Sequence, residues 1–219
     1  MIEITSVRFF TGLEKKEVRV ILAAAKRRNL VGGEIVGTAD EPATHLYLVW
    51  SGCVDYYVVT SDGREILLRR LVSGNIFGVG AFLSQPAGYV GTSKAAHSGE
   101  VLMWEHPVIR QLAKTYPRLA ENALRTVLRY VALFAERHIA LVSKPAQERL
   151  AFALTTLGSQ TGHMVPSGVE IDVKNVELAS LADVSSFTAS RLLQEWERKG
   201  AVEKSRGKVL IRSPERLLA

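Results

Sequence analysis

The chain has 219 residues, 47% of them apolar, one cysteine and a formal net charge of +6. That length suits one or two domains with ordinary cores, and no apolar run approaches the ~18 residues of a membrane span. The lone Cys53 excludes an internal disulfide and a cysteine-ligated zinc or iron–sulfur centre built by one chain.

The N-terminal stretch MIEITSVRFFTGLEKKEV lacks a basic start followed by an apolar segment, so no secretory leader is expected and the cytoplasm is the simplest location. From about Glu14 to Arg28 the spacing predicts a helix, with Val18, Ile21, Leu22 and Ala25 on one face. Between Gly32 and Trp104 the pattern changes to short apolar or alternating runs: Leu46–Trp50, Val54–Thr60, Ile66–Leu68, Ile76-Phe77 and Val101–Trp104. Ser51-Gly52, Ser61-Asp62-Gly63, Ser73-Gly74-Asn75 and His97-Ser98-Gly99 punctuate them, as turns do in an antiparallel barrel or sandwich.

Pro117 to about Ser143 contains no glycine or internal proline, which permits a long helix. Ala120, Leu124, Val127, Val131, Phe134, His138 and Leu141 recur at alternating spacings of four and three, the seam of a two-stranded coiled coil. The same stripe could instead be buried against the chain's own strands. Lys144-Pro145 then interrupts the helix as a hinge, and a further helix runs from Gln147 to Leu157.

The most informative stretch follows. Asn175 is placed to cap a short helix from Val176 to Ala182, with Leu178, Leu181 and Ala182 inward. Asp183-Val184 breaks the pattern. Ser185 caps a second helix that reaches about Lys199 and stops at Gly200, with Ala189, Leu192, Leu193 and Trp196 inward. Ala201–Lys204 and Val209–Arg212 read as strands joined by the basic turn Ser205-Arg206-Gly207-Lys208. Two capped helices and a basic hairpin make a winged helix-turn-helix, whose second helix usually enters the DNA major groove; some winged helices bind only protein. The net charge is spread along the chain, so the case for DNA rests on the placement of Arg191, Arg198, Lys199, Lys204, Arg206 and Lys208.

The run HLYLVWSGCVDYYVVTSDGREILLRRLVSGNIFG resembles the double-stranded β-roll of the cyclic-nucleotide-binding fold. With the long helix and the winged helix, nearly the whole chain resembles the CRP/FNR superfamily of bacterial transcription regulators. The resemblance implies an α+β fold: a jelly-roll-like sensor over residues 1–115, a dimerisation helix over 116–143 and a DNA-binding domain over 144–219. It also implies a homodimer on double-stranded DNA, with the seam Leu124, Val127, Val131, Phe134 and His138, and RNA polymerase as a further partner. DNA contacts would come from Ser185, Ser186, Phe187, Thr188, Ser190 and Arg191, and from Arg206 and Lys208 in the wing. Arg191 suits a bidentate pair with guanine, or else a phosphate or surface ion pair. Phe187 either meets a thymine methyl or lies half-buried against Leu181 or Val184.

The nucleotide site does not carry over. Family members that bind cyclic AMP place a glutamate after the Phe/Ile-Gly pair and, farther along, an arginine followed by a serine. Here those places hold Val79, Tyr89 and Val90. A phosphate would enter without a paired charge, which costs several kcal/mol, so no cyclic-nucleotide binding is expected. A different effector at this degenerate pocket remains open, haem among them through His45, His97, His106, His138 or His163, although no family haem motif is matched. His138 in the seam is a candidate switch and Cys53 a weak redox candidate. No His-x-His pair, Gly-rich phosphate loop or Gly-x-Ser-x-Gly elbow is present, so neither a metal, a cofactor nor an enzyme is expected.

Overall fold

A computed structural model describes residues 7–218. The expectation that no secretory leader is present falls partly on residues 1–6, which lie outside the described residues, as does residue 219. The described chain divides into two compact units that meet at Val131 and Ala132.

The described part of the first unit begins with a single turn at Arg8–Phe10 and helix α1 (Lys15–Ala23), whose first turn is held by the Glu17 carboxylate accepting from the Glu14 N–H at 2.7 Å. The helix is shorter than its periodicity predicts. Lys26, Arg27 and Arg28 belong to strand β1 (Lys26–Leu30), paired with β6 (Thr92–Glu105). Their carboxylate partners Glu105, Glu100 and Glu34 hold the basic side chains on the sheet surface.

Strands β2 (Ile35–Gly37), β3 (His45–Val59), β4 (Glu65–Val72) and β5 (Ile76–Phe77) complete an antiparallel sheet of order β1-β6-β3-β4, with β2 added to β6 and β5 to β3. Two breaks read from the sequence are bulges inside long strands. Register shifts fall between Val49 and Val54 of β3, where Ser51 faces Glu100 and Cys53 faces His97. Gly52 and Gly99 meet backbone to backbone there; a methyl on Gly52 would lie 2.8 Å from the Gly99 α-carbon. The absent side chains are what lets both strands bend together and curl the sheet.

Strand alternation then sorts β3 onto two cores. Leu46 and Leu48 pack with Phe9, Ile21, Trp104 and Ile109, whereas Tyr47 and Val49 pack inside the roll with Phe77, Tyr89 and Val101. Helix α2 (His106–Thr115) follows β6 directly, with Pro107 in its first turn. Helix α3 (Arg118–Ser143) matches the long helix expected from the sequence. Its first turns are tied to the N-terminal segment by Asn122, which donates to the carbonyls of Phe9 and Thr11 at 3.0 and 2.9 Å.

The second unit contains the end of α3, then α4 (Ala146–Thr161), β7 (His163–Val165), β8 (Gly168–Asp172), α5 (Asn175–Ala182), α6 (Ser186–Arg198), β9 (Val202–Ser205) and β10 (Lys208–Ile211). The wing has four strands, in the order β7-β8-β10-β9. Sequence reading found only β9 and β10; it passed over the short β7–β8 hairpin, although Val169-Glu170-Ile171-Asp172 alternates apolar and polar residues as a strand does. Leu150, Leu154, Leu178, Ala189, Leu193, Trp196 and Val209 form one buried core under both helices. Among the described residues, no helix is long and apolar enough to cross a membrane.

Candidate nucleic-acid interface

Asn175 is the first residue of α5 and not its cap; the carboxylate of Glu177 instead accepts from the Lys174 N–H at 3.1 Å. At its C-terminus α5 closes with Asp183 in the left-handed region (φ 50°, ψ 55°), and the Val184 N–H reaches back to the Ala179 carbonyl at 3.0 Å. That is a Schellman turn, with half-buried Val184 making its hydrophobic contact. Aspartate tolerates this conformation better than most side chains.

Sequence reading missed the residue that secures the turn. Arg149, in the first turn of α4, donates through Nε to the Ala182 carbonyl at 3.0 Å and through Nη2 to the Asp183 carbonyl at 2.8 Å. Its Nη1 reaches the Lys144 carbonyl at the hinge, 3.2 Å away. Arg137, near the end of α3, donates to the Ser180 carbonyl at 3.1 Å. The last carbonyls of α5 have no partners within the helix, and cationic donors there suit both their hydrogen bonding and the helix dipole. Burial lowers the pKa of Arg137, opposed by the nearby charge of Asp183.

Ser185 caps α6 as expected, its hydroxyl accepting from the Thr188 N–H at 3.0 Å. Ala189, Leu192, Leu193 and Trp196 bury the inner face. The opposite face carries Ser186, Phe187 and Arg191 exposed, with Ser190 and Thr188 half-exposed beside them. Phe187 is 78% exposed, so the half-buried alternative is removed. Gln194, one turn beyond Ser190 and exposed, extends this face; the sequence reading passed it over because its position is distinguished only by the helix's rotation.

Among the described residues, Arg191 and Arg206 meet no carboxylate. Lys208 differs from the expectation: its ammonium lies 2.6 Å from Glu170 and 3.6 Å from Asp172 on β8, and the hydrogen bond to Glu170 raises its pKa. Arg212 is likewise matched by Glu203. The tip of the wing therefore offers Arg206 as its uncommitted cation.

Along α3, Leu124, Leu128 and Val131 are 57–58% exposed, Ile139 and Val142 more so, and His138 is exposed among them. Val127 and Phe134 are half-buried within the chain. The apolar stripe open to a partner thus runs through Leu124, Leu128, Val131, Ala135, His138 and Val142, keeping the 3.5-residue spacing with one rail shifted by a residue.

The degenerate pocket residues do not converge. Val90 is 79% exposed, Val79 packs with the helices, and Tyr89 is buried in the roll. The Tyr89 ring edge passes so close to Gly37 and Gly78 that a methyl on either would lie 3.3 and 3.2 Å from its carbons. Its hydroxyl donates to the His45 carbonyl at 3.4 Å, and burial, reinforced by Tyr47, pushes the phenol well above its ordinary pKa. Tyr47 stacks on Phe77 at 4.7 Å beside it. Among the described residues, no group of three His, Cys, Asp or Glu side chains is arranged to hold a metal ion.

Comparison with known proteins agrees with this architecture. Residues 27–116 match the family model of the cyclic nucleotide-binding domain, and residues 148–219 that of the Crp-like helix-turn-helix domain. The "Cyclic AMP receptor protein" of Thermus thermophilus is 28% identical over 204 residues, 93% of this chain and 91% of that one. Among solved structures, FixK2 from Bradyrhizobium japonicum superposes with a TM-score of 0.76 at 20% identity, covering 89% of this chain and 96% of its own. The c-di-GMP responsive regulator CLP of Xanthomonas campestris also gives 0.76, at 22% identity, over 90% and 99%.

Proposed function

The chain belongs to the CRP/FNR superfamily of transcription regulators, with a cyclic-nucleotide-binding-type roll and a helix-turn-helix DNA-binding domain, and on that premise we propose that it binds a near-palindromic DNA site as a homodimer without a cyclic nucleotide. The observation that carries this reading is the outer face of α6, where Ser186, Phe187 and Arg191 stand clear of a helix anchored by buried Trp196. Arg191 supplies the fork for a guanine edge, Phe187 an apolar surface for a thymine methyl, and Gln194 a pair suited to adenine. Ser185 and Arg206 hold phosphates and fix register.

The exposed stripe on α3 supports dimerisation. An apolar seam of this length is costly in water and is buried when a second copy lies alongside. Pairing sets two recognition helices about one DNA turn apart, ~34 Å, and so calls for a two-fold symmetric site. Tyr89 supports independence from cyclic nucleotides, because its ring occupies the roll interior where a ribose and phosphate would have to enter. The protein is accordingly placed in the cytoplasm, with its DNA.

Sedimentation equilibrium and DNA titration test the reading together. The intact chain sediments as a dimer and binds duplex DNA with an affinity that falls steeply with salt; Leu128→Asp sediments as a monomer and loses most of that affinity. A wild-type monomer that binds DNA equally well would overturn the dimer.

A further inference from the structure

Helix α6 is held at both ends from a single turn of α4. Its start follows the turn that Arg149 secures through the carbonyls of Ala182 and Asp183. Its end closes at Gly200 (φ 71°), whose N–H donates to the Glu197 carbonyl at 3.0 Å. The Ala201 N–H reaches back to the Trp196 carbonyl at 2.8 Å. These two bonds make a Schellman closure, which on an exposed helix end opens readily.

A later segment of the chain lies across this closure. Leaving β10, the N–H groups of Arg212 and Ser213 both donate to the Ala201 carbonyl, at 2.9 and 3.2 Å. A single turn follows at Pro214–Leu217, with proline at its start. From it Arg216 Nη1 reaches the Lys199 carbonyl at 3.5 Å, and the Leu217 side chain is fully buried in the core with Trp196. The Leu217 carbonyl accepts from Gln147 Nε2 at 3.1 Å. Gln147 stands two residues before Arg149, in the first turn of α4. That one turn therefore grips the start of α6 through Arg149, and its end through Gln147 and the Pro214–Leu217 strap.

We propose that Gln147 and Leu217 are positioning residues for base recognition, fixing the tilt of α6 and with it the placement of Arg191 and Gln194, without touching DNA themselves. The inference rests on reading α6 as the helix that enters the groove. A helix secured at one end only can swing about that end. Hydrogen bonds to base edges tolerate little misplacement, whereas attraction to phosphates is longer-ranged and independent of sequence. Freeing the far end of α6 therefore costs discrimination between sequences and spares the general attraction to DNA.

The test has one arm without DNA and one with it, both on the full chain. Leu217→Ala would open a cavity in the core, so Gln147→Leu, at a half-buried surface position, carries the test. Amide hydrogen exchange should quicken about fivefold at Lys199, Gly200 and Ala201, the effect of one lost hydrogen bond, and stay unchanged at Leu154 in the core. In competition between a selected duplex and a random one, the ratio of affinities should fall about fivefold. Affinity for the random duplex and its salt slope should match wild type. Gln147→Lys, which returns a donor to the Leu217 carbonyl, should recover most of both effects, and Gln160→Leu in the last turn of α4 should show neither. Unchanged exchange at the end of α6 overturns the mechanical link. An unchanged affinity ratio, or equal losses on both duplexes, overturns the positioning role. A wild-type chain that prefers no duplex sequence overturns the DNA reading instead, and the exchange arm still decides the link.

Discussion

Arg149 Nη2 donates to the Asp183 carbonyl at 2.8 Å, joining the first turn of α4 to the one non-glycine residue of the helix-turn-helix that sits in the left-handed region. Because the same guanidinium holds the Lys144 carbonyl, the hinge after α3 and the turn before the recognition helix share one clamp. Both lie in the second unit, and neither end can shift without breaking a charge-assisted hydrogen bond.

Arg149→Met should therefore lower stability by about 2 kcal/mol, from carbonyls left without donors in a part-buried turn. DNA affinity should fall by more than that loss of folded protein explains, because α6 is no longer held at a fixed angle. Urea unfolding and DNA titration on the same samples separate the two effects. Arg149→Lys, which keeps the charge but only one of the geometries, should recover part of each.

Phe187→Ala should change stability by less than about 0.5 kcal/mol, as an exposed position away from the core. Its effect should appear in recognition, as relaxed preference at one thymine-bearing position per half-site. Competition among single-base variants of a bound site measures that directly. A large drop in unfolding midpoint would mean instead that Phe187 packs in the folded protein.

Cyclic AMP at millimolar concentration should leave the unfolding temperature of the wild-type chain unmoved, since the Tyr89 ring occupies the roll interior. Tyr89→Ala should cost about 3 kcal/mol through the cavity it leaves. That variant should also fail to bind cyclic AMP, because Val79 and Val90 supply neither the ribose acceptor nor the phosphate partner.

Acid should find His45 before the carboxylates. Burial lowers its pKa below the ordinary histidine value, with Lys26 and Arg28 adding to the effect and Glu105 opposing it. The unfolded chain takes up the proton first, so this contribution is intact above about pH 6.5 and declines as pH falls below it. Between pH 7 and 5.5 the wild type should lose more stability in urea than His45→Asn does. Equal slopes would remove His45 from the acid response.

The sequence made the helices of both units legible wherever an apolar stripe met a clear stop, as at Ser185 and Gly200 around α6. It misled where one signal had two causes. Gly52 and Gly99 look like turns, but they are the paired absences that let β3 and β6 bend without ending. The basic run Lys26–Arg28 continues a helical pattern, yet its cross-strand carboxylates draw it into β1. At the interface, composition placed Lys208 among the cations without revealing that Glu170 and Asp172 already hold it. Arg149 could have been found only by asking which side chain supplies donors to the end of α5, and that partner lies 33 residues away in sequence.

The most direct measurement is selection from random duplex DNA with the purified, ligand-free chain at about 0.15 M salt. The account predicts a two-fold symmetric motif with half-sites one helical turn apart, in which Arg191→Ala blurs one base per half-site. No enrichment in the absence of a ligand, or a motif that Arg191→Ala leaves untouched, would contradict it.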